Sequence, residues 1–480
     1  MKKRLLGFIL LFFIASCTKN EYFTVNQVSP EPETDKSTYT VMMYGCGGEN
    51  LDTSMVLNIQ EALLAGATDR VNFTGQIKFS ARFQQEEVLA GTQRFIVGEE
   101  PQTWYEPVEV LDSNLELFNP QNLTDFINWS KEQCPADEYI LLLWNHGGAW
   151  TPWSDYPDYG RAVISDDIHK RRGLTLNDLV KGIEDSGTHF KMVYYDACLM
   201  GMMEVITGLT ACTDYVMAAS HITPGMGGDY NSLIYHLNAS TNFEEAMIQY
   251  CCETVAHWNS WEMPLDLMVV DCRKMDRLLG EVKLLATYLE EIARIYAEYD
   301  STTEEPGSEK TLLCSAYEQA INACYHYDDS LIPGIEKPLY PYYDLLHFAE
   351  ILSASGAVHS YSARFVDMAS RINRAMSEAI VCKQLSSVIN NLSLSIGVTI
   401  IDKDFWQRLG YQNAYNELLF QQKTGWGNWL KINPVTPEKN PNPETILGGQ
   451  DDEEDDNDGQ ENKPTLEEEI ALLLELIGKK

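Results

Sequence analysis

The runs EYILLLW (138–144) and FKMVYYD (190–196) are apolar almost without interruption, and this limits the fold more than any other feature of the chain. A strand with one wet face alternates apolar and polar residues, whereas a strand covered on both faces does not. Both runs therefore belong inside a sheet that lies between two layers of helices. Comparable runs occur at 39–45, 75–83, 214–220, 266–271 and 392–401. Helical patterns lie between them at 52–66, 174–187 and 274–299, the second opened by Thr175 and Asp178 at capping spacing. Strands alternating with helices predict an α/β fold: a mostly parallel central sheet with helices on both faces, extended by a helical C-terminal part.

The ends of the chain read differently. MKKRLLGFILLFFIASC has a basic start, a short apolar stretch and small residues before Cys17, the layout of an export signal and too short to span a bilayer comfortably. Its Ile-Ala-Ser-Cys ending resembles a bacterial lipobox, which implies that residues 1–17 are a lipoprotein signal peptide and Cys17 the lipidated first residue of the mature protein; an ordinary signal peptide with a chance cysteine is the other reading. Residues 18–37 form a polar, proline-bearing tether. Residues 432–464 are a Pro/Asn-rich and acidic linker, and 465–480 are a terminal helix with Thr465 and Glu468 at capping-box spacing. The expected location is the bacterial cell envelope, with a membrane contact through the N-terminal anchor.

The formal charge of −36 argues against nucleic-acid partners, because a polyanion is bound by releasing counterions through Lys and Arg. Residues 451–480 alone hold twelve acidic and three basic residues. The acidic run at 451–458 lacks the glycine and glutamate placements of an EF-hand, so it reads as a solvated tail. The eleven cysteines and nine histidines show no metal spacing and no His-Glu-x-x-His, so no metal site is assigned. The glycines of YGCGGEN (44–50) follow a strand but lack a phosphate-loop lysine, which argues against a nucleotide site.

Two apolar strands end on reactive side chains. EYILLLW runs into Asn145, His146, Gly147 and Gly148, and FKMVYYD ends on Asp196 just before Cys198. In open α/β sheets, strand carboxyl ends face a crevice, so a thiol and an imidazole delivered to one edge can share a substrate. Taken singly, a His is more often a satisfied polar residue and a Cys more often core; the pairing is what carries the signal.

HGG after one strand, then DAC after the next and LMG beyond it, resembles the clostripain family of cysteine peptidases, within the caspase-like clan that includes gingipains and legumains. Further stretches fit: YTVMMYGCGGENLD, LTLNDLVKGI, DLMVVDCRKMDRL, YYDLLHFAEIL and YQNAYNELLFQQKTGWGNWL. The likeness covers 38–431 and implies a caspase-like peptidase domain there. It implies a cysteine endopeptidase that cleaves peptide or protein substrates, with Cys198 as nucleophile, His146 as its proton partner, and the N–H groups of Gly147 and Cys198 as the oxyanion hole. It implies that Asp196 lines an S1 pocket for Arg or Lys; the alternative from residues alone is a helix cap. Relatives carry a second S1 acid where this chain has Met226, so Asp229 is the residue left to replace it. The family is often nicked between the two catalytic strands, where Arg161, Lys170, Arg171 and Arg172 offer basic sites; an uncut surface loop is the other reading. No cofactor is required for the chemistry; calcium dependence occurs in the family, but no loop can be named as its site. A catalytically idle peptide-binding lipoprotein of the same fold is the competing function.

Overall fold

Strand β1 (Tyr39–Cys46) lies at the heart of a nine-stranded sheet, fully buried along its length and parallel to β2 (Val71–Lys78) on one side and β5 (Glu138–Trp144) on the other. The computed structural model describes residues 38–48, 50–150, 163–169, 172–327, 340–354, 361–389, 395–409, 412–438 and 466–478. Cys17, Arg161, Lys170, Arg171 and the acidic run lie outside these.

Beyond β2 the sheet adds β3 (Thr92–Ile96) and β4 (Glu109–Leu111), both antiparallel to their neighbours. Beyond β5 it continues parallel through β8 (Phe190–Asp196) and β9 (Thr213–Ala218), then antiparallel through β10 (Asp266–Asp271) and β12 (Ile380–Leu385). The hairpin β6–β7 (Val163–Asp166, Arg172–Leu174) and the pair β11–β13 (Tyr342–Asp344, Gly397–Thr399) are separate two-stranded sheets.

Alternation along β1 shows how the layers form. Met42 and Tyr44 enter one core with α2 (Pro120–Gln133), α3 (Leu176–Asp185) and the long α7 (Met275–Ala297). Val41 and Met43 enter the other with α1 (Asp52–Ala65), α5 (Tyr230–Ala239) and α6 (Phe243–Ser260). Side chains two apart share a face, so a continuous apolar strand feeds two cores at once. At α3, Thr175 Oγ1 accepts the Asp178 N–H at 3.1 Å, the cap that the spacing predicts.

The mostly parallel sheet with helices on both faces matches expectation, with three corrections. The second strand is Val71–Lys78, and Ala81–Phe83 is a 3₁₀ turn beyond it. The run at 392–401 supplies β13, which lies outside the central sheet and pairs with β11. Strands β3, β4 and β12 are too polar and too short to announce themselves, as is usual for strands near a sheet edge.

Candidate active site

The pairing of β5 with β8 sets Trp144 opposite Asp196. His146 and Cys198 therefore each lie two residues past a paired position, on neighbouring parallel strands and at the same edge. The approach continues into the loops. A Cβ at Gly147 would collide with the Cys198 carbonyl oxygen and stand 3.0 Å from the Cys198 amide nitrogen. Only a glycine lets the backbone after His146 pass this close to the backbone of Cys198. Asn145 fixes the turn, donating from Nδ2 to the Cys46 carbonyl at 2.6 Å and accepting the Ser165 N–H at 2.9 Å. Strand β1, strand β5 and the β6–β7 hairpin are thereby held together.

His146 is half-buried, and its Nε2 lies 2.9 Å from Asn50 Oδ1. An amide oxygen only accepts, so this contact places a proton on Nε2. Cys198 is also half-buried. The Thr223 N–H points at its Sγ from 3.3 Å, with Thr223 Oγ1 at 3.5 Å. A donor aimed at sulfur favours the thiolate. Leu199, directly after the cysteine, has φ +62°, a left-handed conformation that costs a non-glycine residue about 1–2 kcal/mol. The chain does not enter a helix there: α4 starts at Met203.

Asp196 does not cap that helix. Its Oδ2 accepts the Gly228 N–H at 3.0 Å and the Tyr230 hydroxyl at 2.7 Å, from the strap that joins β9 to α5. The strap must be glycine here, because a Cβ at Gly227 (φ +52°) would run into the carboxylate. Burial raises the Asp196 pKa to about 6 against the lowering effect of those two hydrogen bonds. On the far side of the strap, Glu61 Oε2 accepts the Tyr230 N–H at 3.1 Å and Asn58 Nδ2 at 3.0 Å, and burial lifts Glu61 to about 7.

Met226 is half-buried at the tip of this strap. Asp229 is the N-cap of α5, accepting the Ser232 N–H at 3.0 Å. The carboxylate expected to stand in for a second S1 acid therefore has one oxygen engaged in this cap. Of the basic residues between the two strands, Arg172 is described. It opens β7 opposite Asp166, with its guanidinium 4.2 Å from the centre of the Phe118 ring. The same hairpin is anchored by Lys78 and Asp166, a fully buried ion pair at 2.8 Å, with His169 Nδ1 2.9 Å from the same carboxylate. Among the described residues no group of three His, Cys, Asp or Glu side chains could hold a metal ion.

Comparison with known proteins bears on this geometry. The model of the clostripain family matches residues 75–432, which is most of the chain. The chain belongs to the clostripain family of cysteine peptidases. It is 27% identical over 254 residues to clostripain of Hathewaya histolytica, a stretch that covers 47% of this chain and 48% of that protein, so it spans about half the length of this curated relative. Among solved structures, the inactive zymogen of a C11 protease from Parabacteroides distasonis matches with a TM-score of 0.57 at 17% identity, over 83% of this chain and 99% of that one. A secreted C11 cysteine protease from Bacteroides thetaiotaomicron, solved with an irreversible peptide inhibitor, matches with a TM-score of 0.57 at 13% identity, over 82% and 99%. These structural likenesses establish a shared fold.

Sequence reasoning passed over Asn50, Thr223 and Tyr230. A signal for the first was present: YGCGGEN is a glycine-rich loop at the carboxyl end of a central strand, where an active-site loop is as apt as the phosphate loop it fails to match. Thr223 and Tyr230 reach the site through the strap, and no local pattern marks them.

Proposed function

We propose that this protein is a cysteine endopeptidase with Cys198 as nucleophile and His146 as its proton partner. The Cys198 sulfur attacks the scissile carbonyl, and the oxyanion forms against the backbone N–H groups of Gly147 and Cys198. The carbon–nitrogen bond then breaks as His146 delivers a proton to the leaving amine. Water hydrolyses the resulting thioester and frees the thiol. Asn50 takes the Nε2 proton as hydrogen-bond acceptor, which leaves Nδ1 as the atom that exchanges a proton during turnover.

The observation that carries this reading is the contact of the Gly147 and Cys198 backbones, two residues beyond the Trp144–Asp196 pair. On this reading imidazole, thiol and two backbone donors share one strand edge. Asp196 makes the S1 pocket acidic, so cleavage after Arg or Lys is the specificity proposed. With Met226 at the strap tip and Asp229 spent as a cap, a single buried carboxylate has to supply that preference. The peptide inhibitor bound to the Bacteroides thetaiotaomicron protease is consistent with peptide substrates for this fold.

The proposed setting is the cell envelope, with lipid on Cys17 and activation by a cut at Arg161, Lys170, Arg171 or Arg172. Arg172 is exposed but paired in the β6–β7 ladder and stacked on Phe118, so a cut there needs the hairpin to open. The test is a panel of fluorogenic peptides varied at P1, assayed on wild type and Cys198→Ala, with intact mass of the mature protein. Cleavage only by wild type supports the peptidase reading; equal cleavage by both rejects the thiol mechanism; binding without cleavage by either favours an idle peptide-binding protein. A mature mass without lipid on Cys17 would reject the anchor.

A further inference from the structure

Leu199 needs an explanation that the nucleophile itself does not give. A residue held at φ +62° next to a reactive cysteine stays there only if its surroundings fix it. Its N–H donates to the His221 carbonyl at 3.0 Å, and the Gly201 N–H donates to the Ala219 carbonyl at 2.7 Å. The turn carrying Cys198 is thus laced to residues 219–221, which follow β9. Two residues further along the same segment, Thr223 directs its N–H at the sulfur.

What fixes that segment is a buried polar cluster. His221 and Asp266 are both fully buried, with His221 Nδ1 2.8 Å from Asp266 Oδ1. The backbone N–H of His221 donates to the same oxygen at 2.9 Å, and the Ser220 N–H reaches both carboxylate oxygens at 3.0–3.1 Å. Lys383 Nζ, nearly buried, lies 3.4 Å from Asp266 Oδ2. On its other side, His221 Nε2 meets the Tyr325 hydroxyl at 2.9 Å, and the Tyr327 ring stands edge-on at 4.9 Å. Burial alone would raise the Asp266 pKa, but the facing His221, Lys383 and backbone donors hold it well below the usual carboxylate range. An ionised carboxylate only accepts, so Nδ1 carries a proton and the ring is fixed from both edges.

From this geometry we infer that His221, clamped between Asp266 and Tyr325, is a positioning residue for the nucleophile. It fixes the Leu199 turn through its carbonyl and sets the register of Thr223, whose N–H stabilises the Cys198 thiolate. A core histidine serving stability alone would explain the burial. It would not explain why one residue ties down both the strained turn after the cysteine and the donor that faces the sulfur. The inference rests on the reading of Cys198 as the nucleophile.

The test is the pH dependence of Cys198 alkylation by iodoacetamide, followed by mass spectrometry of the Cys198 peptide in the full-length protein, with thermal melting alongside. Thiolate fraction, and hence rate at pH 7, falls about tenfold for each unit by which the thiol pKa rises. The expected result is a fall of about tenfold in His221→Gln, with the midpoint moved to higher pH. Tyr325→Phe removes one hydroxyl from the cluster, and should slow alkylation by about threefold while lowering the melting temperature by a few degrees. If His221→Gln does not fold, Tyr325→Phe decides. Alkylation of folded Tyr325→Phe within the error of wild type, at every pH, would overturn the inference. Should Cys198→Ala keep full peptidase activity, the nucleophile assignment fails and takes this inference with it. Cysteine-dependent activity with an unmoved alkylation profile overturns the positioning role alone.

Discussion

His146 Nε2 and Asn50 Oδ1 are 2.9 Å apart, which ties the imidazole of one strand end to the loop after the central strand. On the proposed mechanism the imidazole becomes cationic by taking the thiol proton, and a neutral amide that accepts from Nε2 then gains strength as a partner to charge. A hydrogen bond to a charged group contributes about 1.5–3 kcal/mol, which corresponds to a loss of about ten- to a hundredfold in rate. Asn50→Ala should therefore lower kcat by that factor and leave KM within about twofold. Steady-state kinetics on a fluorogenic peptide decide it; an unchanged kcat would remove Asn50 from the mechanism.

Gly147 leaves no room for a side chain. Its Cβ position overlaps the Cys198 carbonyl oxygen and lies 3.0 Å from the Ala197 side chain. Both obstacles sit on the strand end that carries Cys198, so neither can yield without moving it. Gly147→Ala should abolish most activity, a drop of at least about a hundredfold, by displacing the cysteine from its donors. Stability should fall by about 1–3 kcal/mol, as for overpacking elsewhere. A variant that kept wild-type turnover would show that the two backbones part easily, and the shared oxyanion site would have to be abandoned.

How much of this was legible beforehand follows from what each element had to bury. Strands β1, β5 and β8 are covered on both faces, and their continuous apolar runs gave them away together with their parallel order. In the run at 392–401, of which 395–401 are described, Gly397–Thr399 forms a strand, paired outside the main sheet with Tyr342–Asp344. Apolar content reports burial and says nothing about which partner strand does the covering. His146 and Cys198 stand out in the sequence because each follows such a strand by two residues. Asn50 and Thr223 lie in loops and Tyr230 opens α5, at sequence distances that only the closed fold brings near, and a cap residue such as Asp229 is of the same residue type as a pocket acid.

Asp196 should impose a pH dependence on P1 preference. Burial raises its pKa to about 6, so the carboxylate is mostly ionised at pH 7.5 and mostly protonated at pH 5. The preference for Arg over an uncharged P1 residue of similar length should therefore shrink as pH falls through about 6. Taking the ratio of the two substrates cancels the ionisations of Cys198 and His146, which both reactions share. Asp196→Asn should give a low ratio that does not vary with pH. The stability sign runs the other way from a paired surface carboxylate: with the folded pKa above the unfolded one, this group favours the fold most at pH below about 4 and loses that contribution as pH rises through 6. Asp196→Asn should then melt no lower than wild type at pH 8. A ratio independent of pH in wild type would take Asp196 out of the S1 pocket.

The terminal helix Leu466–Leu476 returns to the molecule on the α1 side of the sheet, and its docking can be removed without touching the catalytic edge. Ile477 is 1% exposed, and Ile470, Leu474 and Leu476 pack against the same core as α1. Polar contacts align it: Gln60 Nε2 donates to the Leu476 carbonyl at 2.5 Å, and Arg82 pairs with Glu469 at 2.7 Å. An isolated helix of this length would be marginal in water, so packing is what keeps it formed. Full burial of one isoleucine contributes about 1.5–3 kcal/mol, whereas a pair as exposed as Arg82 and Glu469 contributes about 1 kcal/mol at most. Truncation after residue 438 should accordingly lower the thermal midpoint by several degrees. Ile477→Ala should reproduce most of that fall, and Glu469→Ala little of it. Equal melting of the truncated and full chains would mean that the helix rests on the surface without stabilising it, and the apolar contacts of Ile477 would then need another purpose.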